Sequence, residues 1–371
     1  MISTWPGTFY TSQETFDLER DRIFKRSWTC VGRTDAIPDP GSFLRVEICG
    51  ESVLVVRGRD GRLRGLLNLC RHRGAQLCVE ERGRFGNSIR CMYHGWTYGL
   101  DGRMIGAPHM NELPPDTRQE RTLHPVATTE WLGYVWLNLD ADPPPLEEQL
   151  EPQLRERFGE SDVLVRYGIE DLRPVTTVTY DVRANWKLII ENFSECYHCS
   201  TLHPELSAAL PYFRSGYGTV SGRRGAQLAP DRDGFSLSGR AVASRLPGLY
   251  EEEDRAFNAA NLWPNVVVVL VPDHVAWFRL EPLAPDRTRV VTDWLFHPRS
   301  VAEPGFDAGD AVALLDIANR QDFEASERCQ LGAGSERFEA AYPPHEHVIG
   351  DFHRWVEEAL GTVMEGRHGY R

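Results

Sequence analysis

Long uncharged apolar runs are missing from this 371-residue chain. A bilayer-spanning helix needs about 18 or more such residues in a row, so no segment reads as membrane-spanning. The opening residues, Met1 to Trp5, lack the basic start and apolar core of a signal peptide, which makes the cytoplasm the expected location. Basic residues are outnumbered by acidic ones, 41 to 54. A formal net charge of -13 disfavours a nucleic-acid partner, whose phosphates demand a positive surface, and slightly favours cationic partners and substrates. Eight cysteines are too few in this length for a disulfide framework, and in a reducing cytoplasm they are expected to stay as thiols or to bind metal. A dinucleotide fingerprint is absent too: Gly102-Arg-Met-Ile-Gly106 has neither the glycine pattern nor the strand-turn-helix setting. What remains is an ordinary globular composition, 41% hydrophobic, with length enough for two domains.

Periodicity divides the chain. Thr11-Ser12-Gln13-Glu14 reads as a capping box, and Phe16, Ile23, Phe24 and Trp28 on roughly one face predict an amphipathic helix over 12–28 that packs on the larger domain. Short β-rich runs follow at 43–48, 52–56, 63–68, 88–90 and 133–139, separated by Gly, Asp and Asn turns. The acidic, Pro-rich stretch 140–145 then reads as a linker. Beyond it a strand is expected at 175–182, a helix at 186–199, strands at 266–271, 275–280 and 288–295, and helices at 310–331 and 345–365. Residues 214–260 have little periodicity and read as a long loop or lid rather than core. The expected division is 1–37 as an N-terminal segment, 38–140 as a small β domain and 141–371 as a larger one.

Two Cys/His pairs stand out. Cys70-Arg-His72 and Cys91-Met-Tyr-His94 each lie in an expected loop after a strand, and a Gly follows closely in both. Either pair alone is weak. Together they suggest one metal site, and the split of one Cys and one His per loop argues against zinc, whose halves are normally C-x-x-C or H-x(3-5)-H. A Rieske 2Fe-2S centre needs this mixture, because two thiolates hold one iron and two imidazoles the other.

A second concentration runs from Glu191 to His203, with Glu191, Glu195 and His198 at i, i+4 and i+7 on one expected helix face. Pro204 disfavours α-geometry at His203, so the helix should end there and let that imidazole turn back. Two histidines plus a carboxylate form the facial triad of non-haem Fe(II) oxygenases. Spacing does not decide which carboxylate completes it.

Both constellations resemble those of Rieske non-haem iron oxygenases, in their alpha, oxygenase-type subunit. The likeness covers nearly the whole chain, including Cys70-Arg-His-Arg-Gly-Ala75, Cys91-Met-Tyr-His-Gly-Trp96, Asn185-Trp-Lys187 and Trp263-Pro-Asn265. It differs from respiratory Rieske proteins, which carry an extra cysteine in each loop and a Ser after His-Gly. Fewer hydrogen bonds to the cluster sulfurs imply a lower reduction potential.

The resemblance implies an α+β chain: a small all-β Rieske domain plus a larger antiparallel-sheet-and-helix, helix-grip-like catalytic domain. It also implies a cluster on Cys70, His72, Cys91 and His94 and a mononuclear Fe(II) on His198, His203 and Asp322. Glu195 and Glu324 are the other carboxylates that could complete the triad. Glu195 and Asn192 are the candidate catalytic residues, Glu195 as a bridge from a cluster histidine of one protomer to His198 of the next, which requires an oligomer, expected to be a homotrimer. Electrons would come from NAD(P)H through a separate reductase, with or without a ferredoxin.

Glu rather than Asp in Glu195-Cys-Tyr-His198-Cys199 resembles the subgroup that oxidises glycine betaine, carnitine, stachydrine and choline, where hydroxylation of an N-methyl carbon ends in formaldehyde and a demethylated amine. An aromatic cage for a quaternary ammonium could draw on Tyr212, Phe213, Tyr217, Trp263 and Trp277. Two alternatives stay open: ring hydroxylation or O-demethylation of an aromatic or alicyclic compound, and electron transfer with no oxygenase activity.

Overall fold

A computed structural model describes residues 2–112, 114, 116–217 and 222–361. The chain forms two compact units: one spans Phe24–Leu146, and the other joins the residues up to Ile23 with those from Glu147 onward.

The smaller unit carries a seven-stranded antiparallel sheet. Its order is Thr29–Arg33, Tyr134–Asn138, Pro125–Trp131, Leu63–Leu67, Glu51–Arg57, Ser42–Ile48 and Arg82–Arg84. The apolar run Val53-Leu-Val-Val56 is buried on both sides, and the two-residue period of a strand sends alternate side chains to different cores. Val53 and Val55 pack with Val135 and Leu137, whereas Leu54 and Val56 pack with Leu66, Tyr98, Cys70 and Cys91. A three-stranded sheet, Ser88–Arg90, Thr97–Gly99 and Met104–Gly106, completes the unit.

In the larger unit a six-stranded antiparallel sheet runs Arg173–Val182, Arg287–Phe296, His274–Ala284, Val266–Leu270, Ala256–Leu262 and Ala226–Gln227. It grips the long helix Gly309–Ala333: Tyr180 meets Phe323 at 4.9 Å between ring centroids, and Phe278 meets Phe193, at the end of the helix Trp186–Phe193, at 5.2 Å, with Phe193 in turn 6.4 Å from Phe323. Ala311, Leu314, Leu315, Ala318, Asp322 and Ser326 form a buried stripe on that helix. The fold is thus α+β, with an all-β unit and a sheet-and-helix unit.

Three expected elements differ. Ser12 does cap a helix, accepting the Thr15 N–H at 3.2 Å, but the third helical position is Thr15 and not Glu, so no reciprocal box forms. That helix, Gln13–Glu19, passes into a π turn, Arg20–Phe24, leaving Trp28 outside it. The helix expected over 186–199 stops at Phe193. There the Ser194 hydroxyl donates to Ile190 O at 2.6 Å and accepts from Asn261 Nδ2 at 2.8 Å, tying the helix end to a strand. Glu191, Glu195 and His198 therefore do not share a helix face.

The segment expected as a lid is irregular but pinned, with Phe235 and Leu246 buried and Leu246 N–H bonded to Pro272 O at 2.8 Å; residues 218–221 of it lie outside the described residues. Its last part already belongs to the strand Ala256–Leu262. The final helix is His347–Leu360, and the expected end at 362–365 also falls outside the described residues. Among the described residues no helix is long and apolar enough to cross a membrane.

Candidate metal centres

The two Cys/His loops of the smaller unit close with the same pair of backbone bonds. Cys70 N–H donates to Ala75 O at 2.9 Å and Gly74 N–H to Cys70 O at 3.0 Å; Cys91 N–H donates to Trp96 O at 2.8 Å and Gly95 N–H to Cys91 O at 3.1 Å. Each turn needs a left-handed residue, supplied by Gly74 at φ 75° and Gly95 at φ 73°. The thiols point into the core, with Cys70 and Cys91 at 3% and 2% exposure. The imidazoles stay nearer the surface, 4.5 Å apart edge to face, with His72 stacked on Trp96.

Tyr98, fully buried, places its hydroxyl 3.4 Å from Cys70 Sγ and 3.0 Å from the Arg71 N–H. Burial, reinforced by the Cys70 sulfur, pushes the Cys91 thiol up. Two buried thiols facing each other beneath two imidazoles match the donor split of a Rieske cluster. Tyr98 was not singled out from sequence; it lies seven residues after Cys91, in a strand.

In the larger unit Asp322 sits where an apolar residue would be expected. A Leu there would contribute about 2 kcal/mol by burial, and a carboxylate is stable in such a stripe only with partners. The partners are His203 Nε2 at 2.8 Å and His198 Nε2 at 3.2 Å, both on Asp322 Oδ1. Donor atoms that share a metal at adjacent octahedral corners lie about 3 Å apart, given bonds of about 2.1 Å, so the set fits one cation. His203 reaches it because the chain breaks there: Cys199–Leu202 ends, Pro204–Ala209 begins, and His203 between them has φ -120° and ψ 74°.

The outer nitrogens are also held. His198 Nδ1 bonds Glu195 Oε1, while Glu195 Oε2 accepts the N–H groups of Tyr197 and His198. His203 Nδ1 bonds Gln321 Oε1 at 2.7 Å. Such bonds fix each ring so that Nε2 is the metal-facing nitrogen. Gln321 had no assigned role in the sequence, although its place beside Asp322 was the available signal. Burial opposes charge on His198, but its hydrogen bonds to Asp322 and Glu195 outweigh it and raise its pKa to about 10. Burial likewise pushes Asp322 up, and the two histidines more than reverse this, leaving it below the usual carboxylate range. Glu346, buried near this turn, is lifted to about 7 by burial and by the charge of Glu195.

Other expected residues are placed differently. Glu191 turns away to Tyr10 Oη and His353 Nε2, each at 2.8 Å. Glu324 pairs with Arg328 on the surface, and Asn192 is half-buried in the last turn of Trp186–Phe193. The five aromatics do not assemble a cage. Tyr212 and Tyr217 are exposed, and Phe213 is buried against Phe257. Strand alternation puts Trp277 on the sheet face opposite Phe278, away from the long helix. Trp263 alone of the five lines a cavity of about 150 Å³, whose wall also includes Phe193, Glu195, Arg157, Asn261 and Asp351.

The sulfur of Cys199 also lies close, 3.8 Å from His198 Nε2, and it is joined to Cys196 in a disulfide, contrary to the expectation of free thiols. Whole-chain cysteine density says nothing about one tight turn, in which two cysteines three residues apart can close a bridge.

A dithiol-diimidazole centre in an all-β unit and a two-histidine, one-carboxylate centre on a gripped helix characterise an iron oxygenase with its own electron-transfer domain. Comparison with known families agrees. Residues 27–119 match the Rieske [2Fe-2S] domain and residues 169–362 match the catalytic domain of ring hydroxylating alpha subunits. The chain belongs to the Rieske non-haem iron oxygenases, as an oxygenase subunit with a 2Fe-2S cluster and a mononuclear iron, supplied with electrons by a separate donor.

Among its relatives is the glycine betaine monooxygenase oxygenase subunit of Chromohalobacter salexigens, 30% identical over 97% of this chain and 86% of that one. The carnitine monooxygenase oxygenase subunit of Escherichia coli is 34% identical over 72% and 68%. In fold the chain is similar to the quaternary ammonium Rieske monooxygenase CntA in complex with L-carnitine, with a TM-score of 0.72, 24% identity and 96% of each chain covered. Naphthalene 1,2-dioxygenase from Rhodococcus sp. gives a TM-score of 0.74 at 21% identity, over 97% and 94%.

Proposed function

We propose that this protein is a monooxygenase that hydroxylates an N-methyl carbon of a quaternary ammonium compound of the betaine type, releasing formaldehyde and the demethylated amine. The carrying observation is the convergence of His198 Nε2 and His203 Nε2 on Asp322 Oδ1, with Glu195 on the far nitrogen of His198. The relatives' substrates, glycine betaine and carnitine, and the acidic net charge of -13 support the cationic substrate class.

In this reading Cys70, His72, Cys91 and His94 hold the cluster, and His198, His203 and Asp322 hold the mononuclear iron. When bound, the cluster supplies single electrons and the iron activates O2. The chain's own part is positional. Glu195 and Gln321 orient the two imidazoles, and the stripe around Asp322 keeps bulk water from its carboxylate. Glu195 also borders the 150 Å³ cavity, which leaves that residue open on one side. His94 of the partner subunit would approach there, so that Glu195 links two imidazoles through hydrogen bonds across a homotrimer interface. An NAD(P)H-dependent reductase, with or without a ferredoxin, would feed the cluster, in a cytoplasmic setting.

Asp322→Ala tests the site. The ratio of iron to acid-labile sulfide should fall from about 3:2 to about 1:1 while the reduced Rieske EPR signal persists; an unchanged iron content removes Asp322 from the donor set. Formaldehyde release during turnover with betaines, set against aryl substrates, tests the substrate class, and turnover of aryl substrates alone would replace it with ring hydroxylation.

A further inference from the structure

Cys196 and Cys199 flank the metal-binding His198, with Cα atoms 4.9 Å apart and both side chains at 3% exposure. Cys199 matters chemically because its sulfur, His198 and His203 each offer a donor atom, and these atoms all lie within 4.8 Å of one another. A thiolate there would be a further donor for a cation held by His198 and His203. Soft sulfur donors draw a site toward zinc and away from the oxygen-and-nitrogen set of an Fe(II) oxygenase. In a disulfide the same sulfur carries no charge and has no such affinity.

We propose that Cys196 and Cys199 form a reversible thiol/disulfide site built into the metal-binding turn, and that the disulfide keeps Cys199 out of the metal's donor set. The inference rests on the metal-centre reading of His198, His203 and Asp322. Cytoplasmic disulfides are typically transient and redox-sensing, which suits a pair placed beside a metal centre instead of one stapling distant chain. His198, at 21% side-chain exposure, leaves the turn accessible to a small oxidant.

The oxidant is a peroxide. The Cys196 and Cys199 thiols form one S–S bond as the O–O bond of hydrogen peroxide breaks, and the two S–H protons and the electron pair leave in two water molecules. A dithiol reductant reverses the step by exchange. In the dithiol form the Cys199 sulfur is free to take a metal held by His198 and His203, so the reduced protein is the one vulnerable to zinc.

The test uses full-length protein with its cluster in place and the mononuclear site emptied by chelation, then loaded with zinc alone and examined by zinc-edge X-ray absorption. The iron cluster does not contribute at that edge. Reduced protein should show a sulfur neighbour at about 2.3 Å. Peroxide-treated protein and Cys199→Ser should show only nitrogen and oxygen, and Cys196→Ser, which keeps the ligand but cannot form the bridge, should retain the sulfur. Differential alkylation and peptide mass spectrometry should find the 196–199 bridge after peroxide and lose it after dithiol.

Zinc bound without sulfur in the reduced protein, or two alkylatable thiols after peroxide, overturns the proposal. If no zinc is retained in any form, the metal-centre reading itself falls.

Discussion

Two carboxylates hold the ring of His198, Glu195 at Nδ1 and Asp322 at Nε2, and together they give the iron-free protein a defined response to pH. The folded pKa of about 10 lies above the ordinary 6.5, so the doubly bonded imidazolium stabilises the metal-free fold fully below pH 6.5 and that contribution is lost as pH rises towards 10. Thermal midpoints of chelated protein should therefore decline across this window, and more weakly in Glu195→Gln. Metal loading runs the other way, because Fe(II) must displace the proton. Uptake should tighten with rising pH and release about one proton per iron at neutral pH, measurable by calorimetry in buffers of different ionisation enthalpy.

Single residues were also the most legible level of the sequence. His203 was readable because Pro204 fixes a chain break, and the cluster loops because glycine must follow each Cys/His pair. Gln321 and Tyr98 were not, since their roles arise from tertiary neighbours and no spacing rule announces them.

Between elements, the N-terminal helix Gln13–Glu19 is fastened to Trp186–Phe193 by a fully buried ion pair, Lys187 Nζ with Glu19 Oε1. Glu19 also accepts from Trp186 Nε1 at 2.8 Å, and Lys187 donates to Asn185 Oδ1 at 2.9 Å. Removing one partner strands the other charge away from water, so Lys187→Met should cost about 3–5 kcal/mol, read from the denaturant midpoint. Adding Glu19→Gln should recover part of that loss.

Strands with clear alternation, such as Ser88–Arg90 and Arg173–Val182, and the long helix were predictable to within a residue or two. The helix over 186–199 was overextended because its terminator is not a Gly or Pro. The Ser194 hydroxyl and the Glu195 carboxylate end it by taking backbone partners, and the strand Ala256–Leu262 adds a bond from Asn261 to that hydroxyl. The aromatic cage failed for a related reason: which face a strand residue takes depends on the register of its neighbours.

For the whole molecule, a bridging Glu195 predicts an assembly about three times the 42.1 kDa of one chain, measurable by light scattering. Glu195→Gln should keep that size and both metals yet slow electron delivery to the mononuclear iron in single turnover by about tenfold or more. Equal rates would leave Glu195 only its hold on His198. In the sequence the boundary falls at the acidic, Pro-rich stretch 140–145, and the structure divides its two units between Leu146 and Glu147.

The N-terminal segment, read from the sequence as packing on the larger domain, groups in the structure with the residues from Glu147 onward, so that one unit is interrupted by the other. During synthesis this imposes an order. The interrupting unit leaves the ribosome complete, while its host still awaits the helix and strands encoded downstream. At about 5–20 residues per second, that delay is on the order of ten to forty seconds. The sulfur-bearing loops are thus offered to the cell's cluster-assembly machinery before any pocket for the lone iron exists.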